Sequence, residues 1–405
     1  GDGAINGKSS GKTQNPEEEE TMSHPLKAIE EVRKINAGFP YTEPIKNWKE
    51  QGGKKVIGFL CTYIPEEIIH AAGILPVRIT GDSEEIALDE ANALLHIYVC
   101  SFARSCLQLA RQGQYNFLDG FVGANTCDPI RRLGDVWEHF IPIPFFHVLR
   151  VPKKFTQDAL DLFLTQVVKL KEELEKFVGH PISDESLRDS IRVYNRNREL
   201  IRKLLDLRRA DKPPISGTEM LEIMNARFRM PVEQHSGLLE DLLKEVSESP
   251  RALEGRFRIM FIGSMMNNPD FIHSLEDLGG LVVVDELCTG TRCTWDLVDG
   301  TLPPVEALSR RYLHHFPCPR MVPNEERFKR VLNLIRDYRV DGVIVQMLRY
   351  CAPYSRHQAI LSDRFKQEEI PVLPLDIEYG MGGIGPVRTR VQAFYEMLEG
   401  RRPGT

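Results

Sequence analysis

The chain has 405 residues, 42% hydrophobic and 27% charged, an ordinary globular composition with length for two or three domains. A formal net charge of −6 gives no general attraction to nucleic acid or to an anionic membrane surface. No apolar run is long enough to span a bilayer and no apolar leader opens the chain, so the expectation is a cytoplasmic protein with reduced thiols and no nucleic-acid or membrane partner.

Residues 1–22 combine Gly, Ser, Asn and charge with almost no apolar side chain and read as a disordered tail. Within it, Gly7-Lys-Ser-Ser-Gly11-Lys12-Thr13 is one residue short of a phosphate loop, and no strand precedes it to aim backbone N–H groups at a phosphate. An N-terminal α/β domain is expected over 23–154. It starts with a helix near Leu26–Asn36, then the apolar strand Lys54–Leu60. Pro65 and two acids open a helix that Gly73 ends, and the strand Leu75–Ile79 follows. Cys100–Arg111 reads as a helix and Gly120–Ala124 as a strand. Residues 155–250 change to long, charged amphipathic helices, over Thr156–Val178, Asp184–Arg209, Gly217–Met224 and Val232–Val246, with Ser183 as an N-cap. A C-terminal α/β domain is expected over 251–405, with strands Phe257–Gly263, Gly280–Asp285, Asp341–Gln346 and Ile370–Leu375. Helices fall between and after them, at Asp270–Leu278, Glu325–Tyr338, Ser355–Gln367 and Gln392–Leu398.

The two halves echo each other. Leu118-Asp-Gly-Phe-Val122 precedes Cys127, and Val340-Asp-Gly-Val-Ile344 precedes Cys351. The expected fold class is therefore α/β: two similar parallel-sheet (flavodoxin-like) domains with a helical insert between them.

Eight cysteines in a reduced protein are packing residues or ligands rather than a disulfide framework. Cys61, Cys127, Cys288 and Cys351 each follow a predicted strand, and ligands of open parallel sheets bind outside the carboxyl ends of strands. Cys100 stands before a predicted helix, where free N–H groups favour a thiolate. Cys318 sits in a rigid Pro-Cys-Pro loop. Cys106 and Cys293 read as packing residues. The sulfurs are scattered, without the close Cys-x-x-Cys pairs of zinc sites or a His at metal spacing. Scattered thiolates suit an iron–sulfur cluster.

These residues bring a resemblance with them. Cys61-Thr-Tyr-Ile-Pro-Glu-Glu-Ile-Ile-His-Ala-Ala-Gly-Ile-Leu-Pro-Val-Arg78, Cys100-Ser-Phe-Ala-Arg-Ser-Cys106, Tyr115-Asn-Phe-Leu-Asp-Gly120 and Asn125-Thr-Cys-Asp-Pro-Ile-Arg-Arg132 look like motifs of the 2-hydroxyacyl-CoA dehydratase and benzoyl-CoA reductase family. Asp285-Glu-Leu-Cys-Thr-Gly290, Arg349-Tyr-Cys351 and Ile370-Pro-Val-Leu373 continue the likeness in the second half. The wording is most similar to the cluster-bearing subunits of ATP-dependent benzoyl-CoA reductase. The resemblance implies an iron–sulfur catalytic subunit that reduces an aromatic acyl-CoA with low-potential electrons from a separate ATP-hydrolysing iron–sulfur activator. It also implies a homodimer or a heterodimer with a related subunit. Carried over by motif, Cys100, Cys127 and Cys351 are the ligands of a [4Fe-4S] cubane. A related branch holds a double cubane, for which Cys61, Cys288 and Cys318 are the extra ligands. Radical dehydration of a 2-hydroxyacyl-CoA, or double-cubane reduction of small molecules, are the alternative chemistries.

Other residues carry two readings each. Glu66 and Glu67 complement a helix dipole or supply a proton near the cluster, and His70, one turn after Glu66, is a packed or exposed histidine or a catalytic one. Arg104, Arg131 and Arg132 hold CoA phosphates or form salt bridges. Asp128 is a helix N-cap or supports the cluster ligand beside it. Gly380-Met-Gly-Gly-Ile-Gly385 lacks the dinucleotide-binding spacing and suits a mobile loop.

Overall fold

The structure, a computed structural model, describes residues 26–248, 251–380 and 384–401. The N-terminal tail, its phosphate-loop-like stretch, residues 23–25 at the expected start of the first domain and positions 381–383 of the Gly-rich segment lie outside the described residues.

Strands β1 (Val56–Phe59), β2 (Leu75–Arg78), β3 (Gly120–Ala124) and β4 (Phe145–Leu149) form an all-parallel sheet in the order β2-β1-β3-β4. Strands β5 (Phe257–Gly263), β6 (Gly280–Glu286), β7 (Gly342–Leu348) and β8 (Val372–Ile377) form a second in the order β6-β5-β7-β8. The orders coincide when β5 is laid on β1, so the molecule is α/β with two similar sheets, consistent with two flavodoxin-like units. The Asp-Gly echo has a structural meaning. The Asp119 carboxylate accepts the Val56 N–H at 2.8 Å, and Asp341 accepts the Arg258 N–H at 2.7 Å. Each aspartate also donates its own N–H to the carbonyl of that same residue, at 2.8 Å in both halves. The two carboxylates thus pin the start of the central strand to its neighbour in both sheets.

Alternation along β1 serves two cores. Ile57 and Phe59 join an apolar cluster with Phe163, Leu204 and Met224 of the helical segment. Val56 and Leu60 join a second cluster that extends to Phe261 and Val343 of the other sheet. Burying side chains of this size contributes roughly 1.5–3 kcal/mol each.

The helical segment comprises α7 (Gln157–Val178), α8 (Asp184–Leu207), α9 (Gly217–Arg227) and α10 (Val232–Glu248). Ser183 caps α8 by accepting the Ser186 N–H, as its sequence suggests. Ser216 and Glu219 form a reciprocal capping box at α9. Helix α8 packs on α3 (Glu66–Ala71) and on α13 (Pro304–His314), while α9 packs on α1 (Lys27–Ala37), on α11 (Pro269–Glu276) and against β6. The segment therefore braces both halves. Among the described residues no helix is long and apolar enough to cross a membrane.

Several elements depart from the sequence reading. Strand β4 lies behind Pro142 and Pro144, whose turn signal hides it, and its alternating exposure marks an edge. Helices α2 (Glu43–Glu50), α4 (Asp89–Leu94), α12 (Thr291–Thr294) and α13 are added, three of them short, with too few turns for a period to show. Helix α6 (Asp128–Phe140) is amphipathic and buries only Pro129, Leu133, Gly134 and Trp137.

Candidate functional site

In each sheet the strand order reverses between the first and third strands, β1/β3 and β5/β7. Open parallel sheets bind their ligands outside the carboxyl ends of the strands at such points. Cys61 follows β1, Cys127 follows β3, Cys288 follows β6 and Cys351 follows β7. The structure brings them together: Cys61, Cys100, Cys127, Cys288, Cys318 and Cys351 all line one cavity, with Arg78, Ser264, Arg320 and Tyr354. Cys106 and Cys293 stay in the packed cores, as expected of packing residues.

Local structure aims the sulfurs. Cys100 is the N-cap of α5 (Ser101–Arg111), Cys127 of α6, and Cys351 of α15 (Ala352–Gln367). The latter two share a Cys-x-Pro start, with Pro129 and Pro353 pre-set for the first helical turn. Three helix N-termini, with unpaired N–H groups and positive dipole ends, therefore meet at the cavity. Cys61 adopts φ 91°, a left-handed conformation uncommon outside glycine. The Cys318 N–H donates to Tyr63 Oη at 3.3 Å, tying its loop to the one that carries Cys61.

Burial pushes the thiols of Cys100 and Cys318 up to about 11 and that of Cys351 up to about 12. Burial also raises Cys127, and the charges of Cys100, Cys351 and Cys61 raise it further. N–H groups at the helix starts pull the other way: Ala103 and Phe102 on Cys100, Ile130 on Cys127 and Tyr354 on Cys351. Thiols that share one cavity and raise one another give up their protons more readily when positive charge joins them, which is what metal binding does as it displaces thiol protons. Among the described residues no group of three Cys, His, Asp or Glu side chains is gathered as for a single metal ion. The six sulfurs instead surround a space, and an all-sulfur donor set fits iron–sulfur ligation.

The cavity wall is also cationic. Arg320 directs its guanidinium to the carbonyls of Thr126, Val151 and Pro152 at 2.7–2.9 Å. Arg78 is buried over the Phe59 ring, 5.4 Å from its centroid, with Nε unpartnered. Arg292 donates to Cys288 Sγ at 3.1 Å. Sequence reasoning misses all three as site residues. Arg78 ends the motif that begins at Cys61 and Arg292 lies four residues after Cys288, which is the signal the sequence offers.

Glu66 and His70 are placed elsewhere. Glu66 takes a two-pronged ion pair from Arg227 of α9, at 3.1 and 3.2 Å. Glu67 faces Arg198 and Tyr312, so neither acid serves merely as a dipole partner. The His70 ring lies 3.0 Å from Ser190 Oγ and 2.8 Å from Glu233. Neither Glu66 nor His70 lines the cavity. Arg104 is buried beside Cys100 and donates to the Val99 carbonyl and Asn92, and Arg132 pairs with Asp128 at 2.7 Å on the surface. Arg131 is exposed. Cys127, not Asp128, takes the N-cap.

The sequence profile described as 2-hydroxyglutaryl-CoA dehydratase, D-component, matches residues 61–398. The chain is 28% identical to a benzoyl-CoA reductase subunit of Thauera aromatica, over 87% of this chain and 94% of that one. It is 29% identical to the putative dehydratase subunit YjiM of Escherichia coli K12, over 86% and 93%. It is 25% identical to the beta subunit of (R)-2-hydroxyglutaryl-CoA dehydratase of Acidaminococcus fermentans, over 91% and 98%. With a match that runs from the first cavity cysteine almost to the end of the last described helix, the chain belongs to the 2-hydroxyglutaryl-CoA dehydratase D-component family.

Proposed function

We propose that this chain is the iron–sulfur catalytic subunit of a two-component reductase acting on an aromatic acyl-CoA of the benzoyl-CoA type. The observation that carries the reading is the convergence of six cysteines, from both halves of the chain, on one cavity at the sheet switch points. A benzoyl-CoA reductase subunit and the beta subunit of (R)-phenyllactyl-CoA dehydratase are among its relatives, and their names as subunits support a partner chain. Electrons come, in this reading, from a separate ATP-hydrolysing iron–sulfur activator in the cytoplasm, and the chain pairs with itself or with a related subunit.

A bound cluster supplies low-potential electrons to the substrate. The chain's own residues do the rest. Cys100, Cys127 and Cys351 offer thiolates stabilised by helix starts. Arg78, Arg292 and Arg320 supply fixed positive charge to an anionic centre. The apolar lining, with Phe102, Ile130, Met265 and Leu348, keeps water away and so strengthens every charge interaction inside.

One observation favours a second reading of the cofactor. Six sulfurs share the cavity where a single cubane needs three from this chain, so a double cubane held by all six, with reduction of a small molecule or dehydration of a 2-hydroxyacyl-CoA, is the alternative. Iron analysis of anaerobically purified protein separates them, at about four irons per chain for one cubane and about eight for two. Protein that takes up no iron would sink both readings. Full iron content in both Cys127→Ala and Cys351→Ala would refute the ligand assignment. Turnover with activator, ATP and either benzoyl-CoA or a 2-hydroxyacyl-CoA then tells reduction from dehydration.

A further inference from the structure

We infer that Arg292 sets the reduction potential of the centre in the cysteine cavity, by holding a fixed positive charge and a hydrogen bond on the sulfur of Cys288. The inference rests on the second cofactor reading above, in which Cys288 is one of six cluster ligands, and makes Arg292 a positioning residue that acts through its cysteine neighbour.

Arg292 lies on α12, one turn after Cys288, and its Nη1 donates to Cys288 Sγ at 3.1 Å. The rest of its guanidinium is locked. Nε donates to Glu286 Oε1 at 2.8 Å, and Nη2 donates to Tyr354 Oη at 2.7 Å and to the Glu286 carbonyl at 3.2 Å. Glu286 is shared: Arg327 donates to its Oε2 at 2.6 Å and to its Oε1 at 3.2 Å. The Arg292 and Glu286 side chains have no exposure at all, and Arg327 has 4%. Two guanidinium groups thus share one carboxylate, and the triad keeps a net charge of about +1 beside a sulfur that lines the cavity, in surroundings of low dielectric.

Burying a second arginine on a satisfied carboxylate is costly, and a negative centre held through Cys288 would offset that cost. Taking up one electron adds one negative charge to that centre without making or breaking a bond. A nearby cation and an N–H donor to the sulfur both favour the reduced form, so they raise the potential. Glu286 works the other way: it fixes the guanidinium in place and removes part of its charge.

The test uses the full chain, purified anaerobically and iron-loaded, with Arg292→Met and Glu286→Gln as variants. Arg292→Met leaves Glu286 paired with Arg327, so no buried charge is stranded. Each form is titrated with a chemical reductant against redox mediators, and the reduced fraction is followed by absorption and paramagnetic resonance. Arg292→Met is expected to shift the equilibrium about tenfold toward the oxidised form, which is ~59 mV for a one-electron couple. Glu286→Gln, which leaves the guanidinium charge uncompensated, shifts it in the opposite direction. Unchanged potentials, or shifts of the same sign, in iron-loaded variants overturn the inference. If Arg292→Met takes up no iron, Glu286→Gln decides by the sign of its shift. Loss of iron from both variants, with the wild type loaded, marks the triad as a structural clamp and overturns it too. A wild type that binds no iron, or only about four irons per chain, refutes the cluster reading on which the inference rests, a distinguishable failure.

Discussion

Removing the Glu67 carboxylate should destabilise the protein more than removing almost any other acid. Glu67 Oε1 accepts from Arg198 Nη2 at 2.6 Å, its Oε2 accepts from Tyr312 Oη at 2.7 Å, and neither ion-pair partner has any exposed side-chain surface. Burial pushes the carboxyl up, but the charges of Arg198 and Arg311 and the Tyr312 hydroxyl outweigh it and hold it below the usual range. Glu67→Ala leaves Arg198 buried without its anion. Breaking a buried pair from one side costs about 3–5 kcal/mol. The exposed pair Arg192–Asp189, with side chains 76% and 56% exposed, sets the contrast, since Asp189→Ala should cost about 1 kcal/mol or less. Anaerobic urea denaturation reads both, as a fall in midpoint at constant slope. Glu67→Leu with Arg198→Met should recover most of the loss, because an apolar replacement strands no charge. The effect reaches the site, because Tyr312 also receives the Glu66 N–H at 3.2 Å and so anchors the start of α3 just after Cys61. Iron retention should therefore fall in Glu67→Ala. A cost for Glu67→Ala no larger than that of Asp189→Ala, or a double variant as unstable as the single, would refute the argument.

Further outcomes follow from other buried groups. Burial and the charge of Arg227 lower the His235 imidazole to about 3, and burial and Lys169 lower His147 to about 4. Both are neutral when folded, while an unfolded histidine titrates near 6.5, so stability is full above about pH 6.5 and falls with acid at about 1.4 kcal/mol per pH unit for each until its folded value is reached. Urea midpoints at pH 7.5 and pH 5 check this, and a flat profile contradicts it. Asp341→Ala strands the Arg258 N–H and should cost about 1–3 kcal/mol, and Asp119→Ala, which also gives up a 2.9 Å bond from Lys49, should cost at least as much; a negligible loss in either would argue against the repeat as a shared strand anchor. Ser216→Ala removes half of the α9 capping box and should cost about 1 kcal/mol in the same assay.

Much of this protein is local and therefore readable along the chain. Val56–Phe59 and Phe257–Gly263 are short, largely apolar runs that suit a covered parallel strand, Ser183 announces the helix it caps, and the two Asp-Gly steps mark the same strand anchor twice. The cysteines fall at strand ends, and a strand end is a property of sequence. Which of them meet is a property of packing. Cys318 joins the cavity because its loop is bound to Tyr63, 255 residues earlier in the chain, and no periodicity carries that contact. Glu66 and Glu67 look like solvent-facing acids at a helix start. They become buried ion-pair partners because α8 and α9, more than a hundred residues away, bring Arg198 and Arg227 against them. The same holds for Arg292. Its spacing from Cys288 is visible in the sequence, but its charge reaches the sulfur as a net cation only because Arg327 arrives from another helix to share Glu286. Charge compensation is decided over a few ångströms in space, and the residues that supply it here come from three or more separate elements.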